Sequence, residues 1–263
     1  MANKPIKIGV VDTGIKYPNH PAIKDNIVLC ANFSYDGRKS TDIFSENTHG
    51  QAVASVITKV APTVELVIAK ALDDIGSCSS ENAANGIRYC TALGCDIINC
   101  SIATNHSRKL EEAVKEANSL GILVVSASGN AGNDIQFCPC SYKETIGVGA
   151  MDNECKLADF SSQNKFVDIL APGVDVNVAY GKEGYTTMSG TSFATPLVSG
   201  ILALLKEKMR IELKRNPTRE ELYSELINIS KTNNQGYKYI IYKEVIIWFL
   251  QIELSVLKII KQL

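Results

Sequence analysis

The sequence predicts an α/β domain with a doubly wound, mostly parallel sheet and helices on both faces. One observation is the alternation of short apolar runs with helical patterns, and another is the β-rich run at residues 6–11, typical of a buried parallel strand. A third is an almost entirely apolar helix at residues 197–205. The predicted strands lie at residues 7–11, 65–71, 97–101, 123–127 and 145–150, and the clearest helices at residues 81–93 and 108–120.

Composition and charge favour one globular domain. A 45% hydrophobic content suffices for a large core, and 263 residues are normal for a single α/β domain. The formal net charge of −1 gives no electrostatic reason to expect nucleic acid as a partner. No run of 18 apolar residues occurs, so we expect no membrane-spanning segment. Residues 1–5 lead into a strand without a signal-peptide pattern, so we expect a cytoplasmic protein.

The eight cysteines are expected to be reduced thiols, since a cytoplasmic protein rarely keeps disulfides. Cys138 and Cys140, and the trio Cys90, Cys95 and Cys100, could suggest a metal site. Their spacings miss those of common zinc sites, so we expect neither a metal nor a cofactor.

The first apolar run ends in Asp12-Thr13-Gly14. An aspartate at the carboxyl end of a central strand lies where open α/β sheets build their sites, although it could also simply cap the next turn. The segment at residues 16–46 reads as loops with a short strand around residues 27–33. His20 lies between turn residues there, and we interpret it as a solvated loop histidine.

Asn47-Thr48-His49-Gly50 opens the next apolar run. Asn47 or Thr48 can cap a helix that starts there, which would aim His49 from the helix N-terminus into a cleft. A histidine so placed can act as a general base, because its charge changes near neutral pH.

Gly190-Thr191-Ser192-Phe193-Ala194-Thr195-Pro196 precedes the apolar helix. Pro196 fits near the start of that helix, where its missing N–H costs least. Ser192 could be an ordinary helix cap, or a nucleophile held where free N–H groups and the positive end of the helix stabilise an oxyanion. Asp12 and His49 upstream favour the nucleophile.

These three segments resemble the motifs of the subtilisin-like serine peptidases, in the family's order of aspartate, histidine and serine. The resemblance runs from about residue 5 to residue 205 and includes several intervening blocks, among them Ile97-Ile98-Asn99-Cys100-Ser101, Val124-Val125-Ser126-Ala127-Ser128-Gly129-Asn130 and Leu170-Ala171-Pro172-Gly173. It implies a subtilisin-like fold and a single catalytic domain.

The resemblance also implies the roles of the site residues. Ser192 would attack the scissile carbonyl, His49 would take and return the proton, and Asp12 would orient and stabilise the imidazole. Asn130 matches the family's oxyanion-hole asparagine, while its Gly-flanked loop would by itself indicate a turn former.

A peptide substrate is expected to add as an extended strand beside two segments, as in the family's clefts. These segments are Ser101, Ile102 and Ala103, and Ser126, Ala127 and Ser128. Ala103 stands where the family has glycine and is followed by Thr104, and a Cβ in place of that glycine beside the substrate backbone should narrow the cleft. Phe137 aligns with the floor of the pocket for the P1 side chain, so we expect small or medium apolar P1 residues, unless Phe137 turns into the core.

Two further departures from the family concern the histidine segment. Gln51 and Ala52 follow His49-Gly50, and the family's second histidine is missing. Only residues 50–60 separate His49 from Ala61, which leaves no room for the calcium loop of many secreted relatives. We therefore expect no calcium there.

We predict a peptidase domain at residues 1–231 and an atypical apolar tail at residues 232–263. A helix is expected to start at Thr218, with Glu221 completing a capping box. The stretch 237–263 could pack on the domain, contact a partner or a second copy, or lie on a membrane surface.

The sequence thus predicts a cytoplasmic serine endopeptidase whose substrate is a peptide or protein precursor. The missing export signal and pro-segment favour processing over bulk degradation. The alternatives are a catalytically silent peptide-binding relative with a regulatory role, and an enzyme that needs a partner docked on its tail.

Overall fold

The computed structural model describes residues 4–242. The tail predicted at residues 232–263 therefore lies outside the described residues from residue 243 onward. The secondary structure runs in the order β1 (Lys7–Asp12), β2 (Ile27–Asn32), α1 (His49–Val60), β3 (Glu65–Lys70), α2 (Ser80–Ala92), β4 (Ile97–Cys100), α3 (Arg108–Ser119), β5 (Leu123–Ala127), β6 (Thr145–Met151), β7 (Ile169–Pro172), β8 (Val176–Tyr180), β9 (Gly184–Met188), α4 (Thr191–Leu213), α5 (Arg219–Asn228), β10 (Lys231–Thr232) and β11 (Lys238–Tyr239).

Nine strands form one sheet in the order β10-β11-β7-β6-β5-β4-β1-β3-β2. All neighbouring strands are parallel except β10 and β11, which pair antiparallel at one edge. The strands β8 and β9 form a separate antiparallel hairpin. The predicted class, a mostly parallel doubly wound sheet, is confirmed.

The sheet is covered on both faces because its strands carry apolar side chains in both directions. In β1, Ile8 and Val10 pack into the core shared with α1 and α4, whereas Val11 packs into the core shared with α2 and α3. In β3, Leu66 and Val67 divide in the same way. This two-sided burial is why the strands read as continuous apolar runs.

The order of strands reverses at β1, whose neighbours are β3 on one side and β4 on the other. In open α/β sheets the crevice at such a reversal, outside the carboxyl ends of the strands, is the usual binding site. Asp12 is the last residue of β1, and Ser101 directly follows β4. The topology therefore brings two of the predicted site residues to one edge.

The capping box expected at Thr218 is present, with hydrogen bonds in both directions between Thr218 and Glu221. Beyond the domain boundary predicted at residue 231, β10 and β11 extend the sheet next to β7. That boundary remains a prediction. Among the helices within residues 4–242, none has both the length and the apolar character needed to cross a bilayer.

His20 is a correction to the sequence analysis, because it is fully buried rather than solvated. Its Nδ1 accepts from the Ala22 N–H at 3.1 Å, so its Nε2 donates to the Gly184 carbonyl at 3.0 Å. The hairpin β8–β9 covers the turn, with the Tyr185 ring edge-on to the imidazole. The turn residues around His20 could not indicate this burial, because the hairpin residue that bonds the imidazole lies 164 positions away in the sequence.

The helices α1 and α4 approach closely at Gly200, where a Cβ would lie 2.7 Å from Val60 Cβ. We predict that Gly200→Ala destabilises the fold by about 1 kcal/mol. Overpacking costs about 1–3 kcal/mol, more than the roughly 0.5–1 kcal/mol that alanine gains over glycine in a helix.

Urea unfolding followed by circular dichroism measures this change. Glu207→Ala, at an exposed position of the same helix, is the control and should stay within about 0.5 kcal/mol of wild type. An unchanged midpoint for Gly200→Ala would contradict the tight contact.

Candidate active site

Asp12 is fully buried at the carboxyl end of β1. Its Oδ1 accepts two hydrogen bonds, from the Thr13 backbone N–H at 2.7 Å and from Nδ1 of His49 at 2.7 Å. A buried carboxylate needs such partners, because an unpaired charge in the interior is costly. Asp12 therefore holds the imidazole by a charge-assisted bond.

His49 is the first residue of α1, and the helix begins there for local reasons. The Asn47 side chain accepts from the His49 N–H at 2.9 Å, whereas Thr48, at the N-cap position, makes no capping bond. The next N–H, that of Gly50, donates to Thr13 Oγ1 at 2.9 Å. A Cβ at Gly50 would lie 2.3 Å from the Gly14 carbonyl oxygen, so glycine lets the helix start rest directly on the Asp12 turn.

The environment raises the pKa of His49 above its ordinary value. Burial disfavours the imidazolium and lowers the pKa, but the negative charge of Asp12 and its hydrogen bond outweigh burial. Since Nδ1 donates to Asp12, Nε2 is the nitrogen that can accept a proton. About a quarter of the side chain, 26%, is exposed. The site thus holds a base with one nitrogen anchored and the other available.

Ser192 lies in the first turn of α4 and exchanges two hydrogen bonds with Ser101. Its Oγ donates to the Ser101 carbonyl at 3.3 Å, and its own carbonyl accepts from Ser101 Oγ at 2.9 Å. The Ser192 hydroxyl thus points to the end of β4 rather than to His49. Hydrogen bonds between a nucleophile and its base often form only when substrate binds.

The start of α4 differs from the prediction, because the helix begins at Thr191 with Gly190 at the N-cap and Pro196 inside. Ser192 is therefore in the helix and does not cap it. Proline removes the N–H that would bond the Ser192 carbonyl four residues earlier. The Ser101 hydroxyl replaces that lost donor, which explains how the helix continues through Pro196.

Asn130 follows the end of β5 and faces the start of α4. Its Oδ1 accepts from the Thr191 N–H and from Thr191 Oγ1, each at 2.9 Å. Since a backbone N–H can only donate, this contact fixes which amide atom is oxygen and leaves Nδ2 as a donor. A Cβ on Gly190 would lie 3.3 Å from Nδ2, so this donor is next to the residues that precede Ser192.

A cavity of about 240 Å³ joins several predicted site residues. It is lined by Thr13, Asn47, His49, Leu72, Gly76, Cys78, Ser101, Ile102, Ala103 and Ser192. The proposed base and nucleophile thus share one cleft with the first substrate segment. Leu72, Gly76 and Cys78 carried no signal in the sequence, because only the fold turns their loop toward His49.

The second substrate segment and Phe137 lie outside that lining. Ser126, Ala127 and Ser128 are buried at the end of β5. The half-buried Phe137 ring rests on Gly129, where a Cβ would lie 2.3 Å from ring atom Cδ2. Gly129 directly precedes Asn130, so the ring is next to the cleft.

Asn99 and Ser199 are two residues whose part in the site the sequence analysis missed. Asn99 Nδ2 donates to Ser101 Oγ at 2.9 Å, and Ser199 Oγ donates to Asn99 Oδ1 at 2.9 Å. This fully buried chain ties β4 to α4 beside Ser192. An asparagine inside an apolar central strand was the available signal, since a buried amide must find partners.

None of the eight cysteines, all within residues 4–242, forms a disulfide. In the same range, no three His, Cys, Asp or Glu side chains are grouped to hold a metal ion. Burial raises the pKa of the Cys78 thiol to about 12, so this thiol in the cleft wall is protonated at neutral pH.

The profile of the subtilase family matches residues 3–238. The chain is 36% identical over 258 residues to the "Intracellular serine protease" of Paenibacillus polymyxa, covering 89% of this chain and 79% of the relative. It is 35% identical over 262 residues to the "Major intracellular serine protease" of Bacillus subtilis (strain 168), covering 90% and 82%. The structure is similar to that of the prenylagaramide maturation protease PagA, with a TM-score of 0.76, 28% identity and coverage of 87% and 84%. The resemblance seen in the three motifs is confirmed.

We predict that Asp12→Asn lowers the pKa of His49. The substitution removes the charge that raises this pKa and leaves burial, which lowers it. The raised pKa of His49 also makes the stability of the fold depend on pH. Because the folded protein holds this proton more tightly than the unfolded chain, the imidazolium stabilises the fold below about pH 6.5, and this contribution is lost as the pH rises through the folded pKa.

Titration of the imidazole by NMR, in wild type and variant, measures the shift. Asp42→Asn, on the loop before α1, is the control and should leave the titration unchanged. An equal or higher His49 pKa in Asp12→Asn would contradict the dominance of the Asp12 charge.

Proposed function

We propose, from the premise that this chain belongs to the subtilase family of serine endopeptidases, that Asp12, His49 and Ser192 are its catalytic triad. The observation that carries the proposal is the 2.7 Å bond from His49 to buried Asp12, in a cleft that His49 shares with Ser192. A base anchored on one nitrogen and open on the other is what activation of a serine requires.

In the proposed reaction, Ser192 Oγ leaves the Ser101 carbonyl and bonds to the scissile carbonyl carbon, while His49 Nε2 takes its proton. The imidazolium is stabilised by Asp12. As the tetrahedral intermediate collapses, the C–N bond breaks and His49 returns the proton to the leaving amine. Water then attacks the acyl-enzyme, with His49 again as base, and regenerates Ser192.

Asn130 and the Ser192 backbone N–H are the proposed donors to the oxyanion. N–H groups in the first turn of a helix have no acceptor within the helix, and α4 begins one residue before Ser192. The Asn130 amide is oriented by Thr191, so its Nδ2 needs no reorganisation during the reaction. A preoriented donor of this kind is typically worth about 100- to 1000-fold in rate.

A peptide is proposed to bind as an extended strand beside residues 101–103 and 126–128. Thr104 exchanges two backbone hydrogen bonds with Cys138, each at 2.9 Å. These bonds occupy the backbone N–H and carbonyl of the residue directly after Ala103. The backbone available to a substrate is thus limited to a short stretch next to Ser192.

Phe137 is proposed to restrict the P1 side chain. Its ring against Gly129 occupies space beside Asn130, at the position that aligns with the floor of the P1 pocket. A pocket filled from below accepts small P1 residues and excludes large ones.

The proposed role is maturation of a peptide or protein precursor inside the cell. The two relatives named above are called intracellular, and the structural neighbour PagA is called a maturation protease. The formal net charge of −1 gives no electrostatic reason to expect nucleic acid as a partner.

Labelling with a fluorophosphonate tests the triad. We predict one adduct by intact mass on wild type and none on Ser192→Ala, because only an activated serine attacks the phosphorus. Ser189→Ala, three residues upstream, is the control and should still label.

The absence of an adduct on folded wild type would contradict the proposal and favour a silent peptide-binding relative. Labelling that appears only after a binding partner is added would indicate the partner-dependent enzyme.

For the P1 pocket, we predict that Phe137→Ala raises kcat/KM for peptides with Phe or Leu at P1 by about 10-fold or more, because removing the ring opens the pocket. Peptides with Ala at P1 are the internal control and should change only a few-fold. An unchanged ratio between large and small P1 residues would mean that Phe137 belongs to the core.

A further inference from the structure

Four charged side chains form a cluster beneath the Asp12 turn: Asp36, Arg38, Lys70 and Asp74. Lys70 Nζ lies 3.1 Å from Asp74 Oδ1 and 3.4 Å from Asp36 Oδ2. Arg38 bridges the same two carboxylates, with Nη2 2.7 Å from Asp74 Oδ2. Two positive and two negative groups balance, and Lys70 is fully buried.

The cluster is connected to Asp12 through Lys70. The Lys70 ammonium donates to the Thr13 carbonyl at 3.0 Å, and Thr13 is the residue whose N–H bonds Asp12 Oδ1. The hydroxyl of Thr13 accepts from Gly50, next to His49. Thr13 thus contacts the ammonium through its carbonyl, the Asp12 carboxylate through its N–H and the start of α1 through its hydroxyl.

A second connection runs from Asp74 to the backbone of His49. Ser45 Oγ donates to Asp74 Oδ1 at 3.1 Å and accepts from the Asn47 N–H at 3.1 Å. The Asn47 side chain in turn accepts from the His49 N–H. Both connections start at the cluster, and one reaches each member of the Asp12–His49 pair.

Burial makes this cluster energetically costly, so its presence in the fold calls for an explanation. A buried ammonium loses its hydration, and replacing a whole buried ion pair by apolar side chains of similar volume often gives equal or greater stability. An apolar residue could not donate to the Thr13 carbonyl. The Asp74 carboxylate stays charged at neutral pH: burial raises its pKa, but hydrogen bonds from Arg38, Lys70 and Ser45 lower the pKa to about 2.

We propose that Lys70 is a positioning residue for the peptidase reaction. Its ammonium fixes the Thr13 carbonyl, and through the backbone and side chain of Thr13 it holds Asp12 and His49 in the geometry that activates Ser192. The inference rests on the proposed triad. It assigns a role in the reaction to Lys70, which lies outside the three catalytic motifs.

The test compares Lys70→Met with the double variant Lys70→Met/Asp74→Asn, which restores the charge balance. We expect Lys70→Met to lower kcat by about 10- to 100-fold with KM within about 2-fold, because small misplacements of reacting groups are costly while substrate contacts remain. The double variant should recover melting temperature but not kcat, since Thr13 still lacks its donor.

Lys206→Met is the matched control. Lys206 is also buried and paired, 2.8 Å from Asp96, at the amino end of β4 and away from the cleft. It should lose melting temperature with kcat unchanged. A kcat within 2-fold of wild type in folded Lys70→Met, or a kcat that recovers together with melting temperature in the double variant, would overturn the positioning role.

The rate of fluorophosphonate labelling separates this inference from the proposed function. Labelling of wild type with equally fast labelling of Lys70→Met leaves the triad in place and overturns the role of Lys70. The absence of labelling in wild type overturns both. Normal labelling of wild type together with slow labelling of Lys70→Met supports both the triad and the positioning role of Lys70.

Discussion

The buried carboxylate of Asp12 is the constraint on which this edge of the sheet depends. A negative charge at the end of a central strand is tolerated only with partners in place. Its Oδ1 has two direct partners, the N–H of the turn that follows β1 and the imidazole of the first residue of α1. Lys70, at the end of β3, supports the same turn through the Thr13 carbonyl. Holding one charge therefore brings His49, the turn and the neighbouring strand together.

Around Ser192, polar side chains replace missing backbone hydrogen-bond partners. Pro196 leaves the Ser192 carbonyl without its helical donor, and Ser101 supplies one from the end of β4. Asn99 and Ser199 continue this chain into the interior. The helix that carries Ser192 is thus tied to the same sheet edge that carries Asp12.

The sequence was sufficient for the fold class and for the residues of the proposed triad, because apolar alternation and the three motifs are local signals. It was insufficient where a contact joins distant segments. His20 is buried by a hairpin far along the chain, and the Ser192 carbonyl finds its donor in the Ser101 hydroxyl at the end of β4. Asp36 and Asp74 read as ordinary loop residues until the fold places them around Lys70.

The contact between α1 and α4 at Gly200 has a consequence for how the protein loses activity. His49 and Ser192 begin these two helices, and both helices bury the same core. Their separation is thus set by packing deep in the domain rather than by surface loops. Well-packed regions of this kind open only when the whole domain unfolds. The proposed base and nucleophile are therefore expected to separate only in cooperative global unfolding.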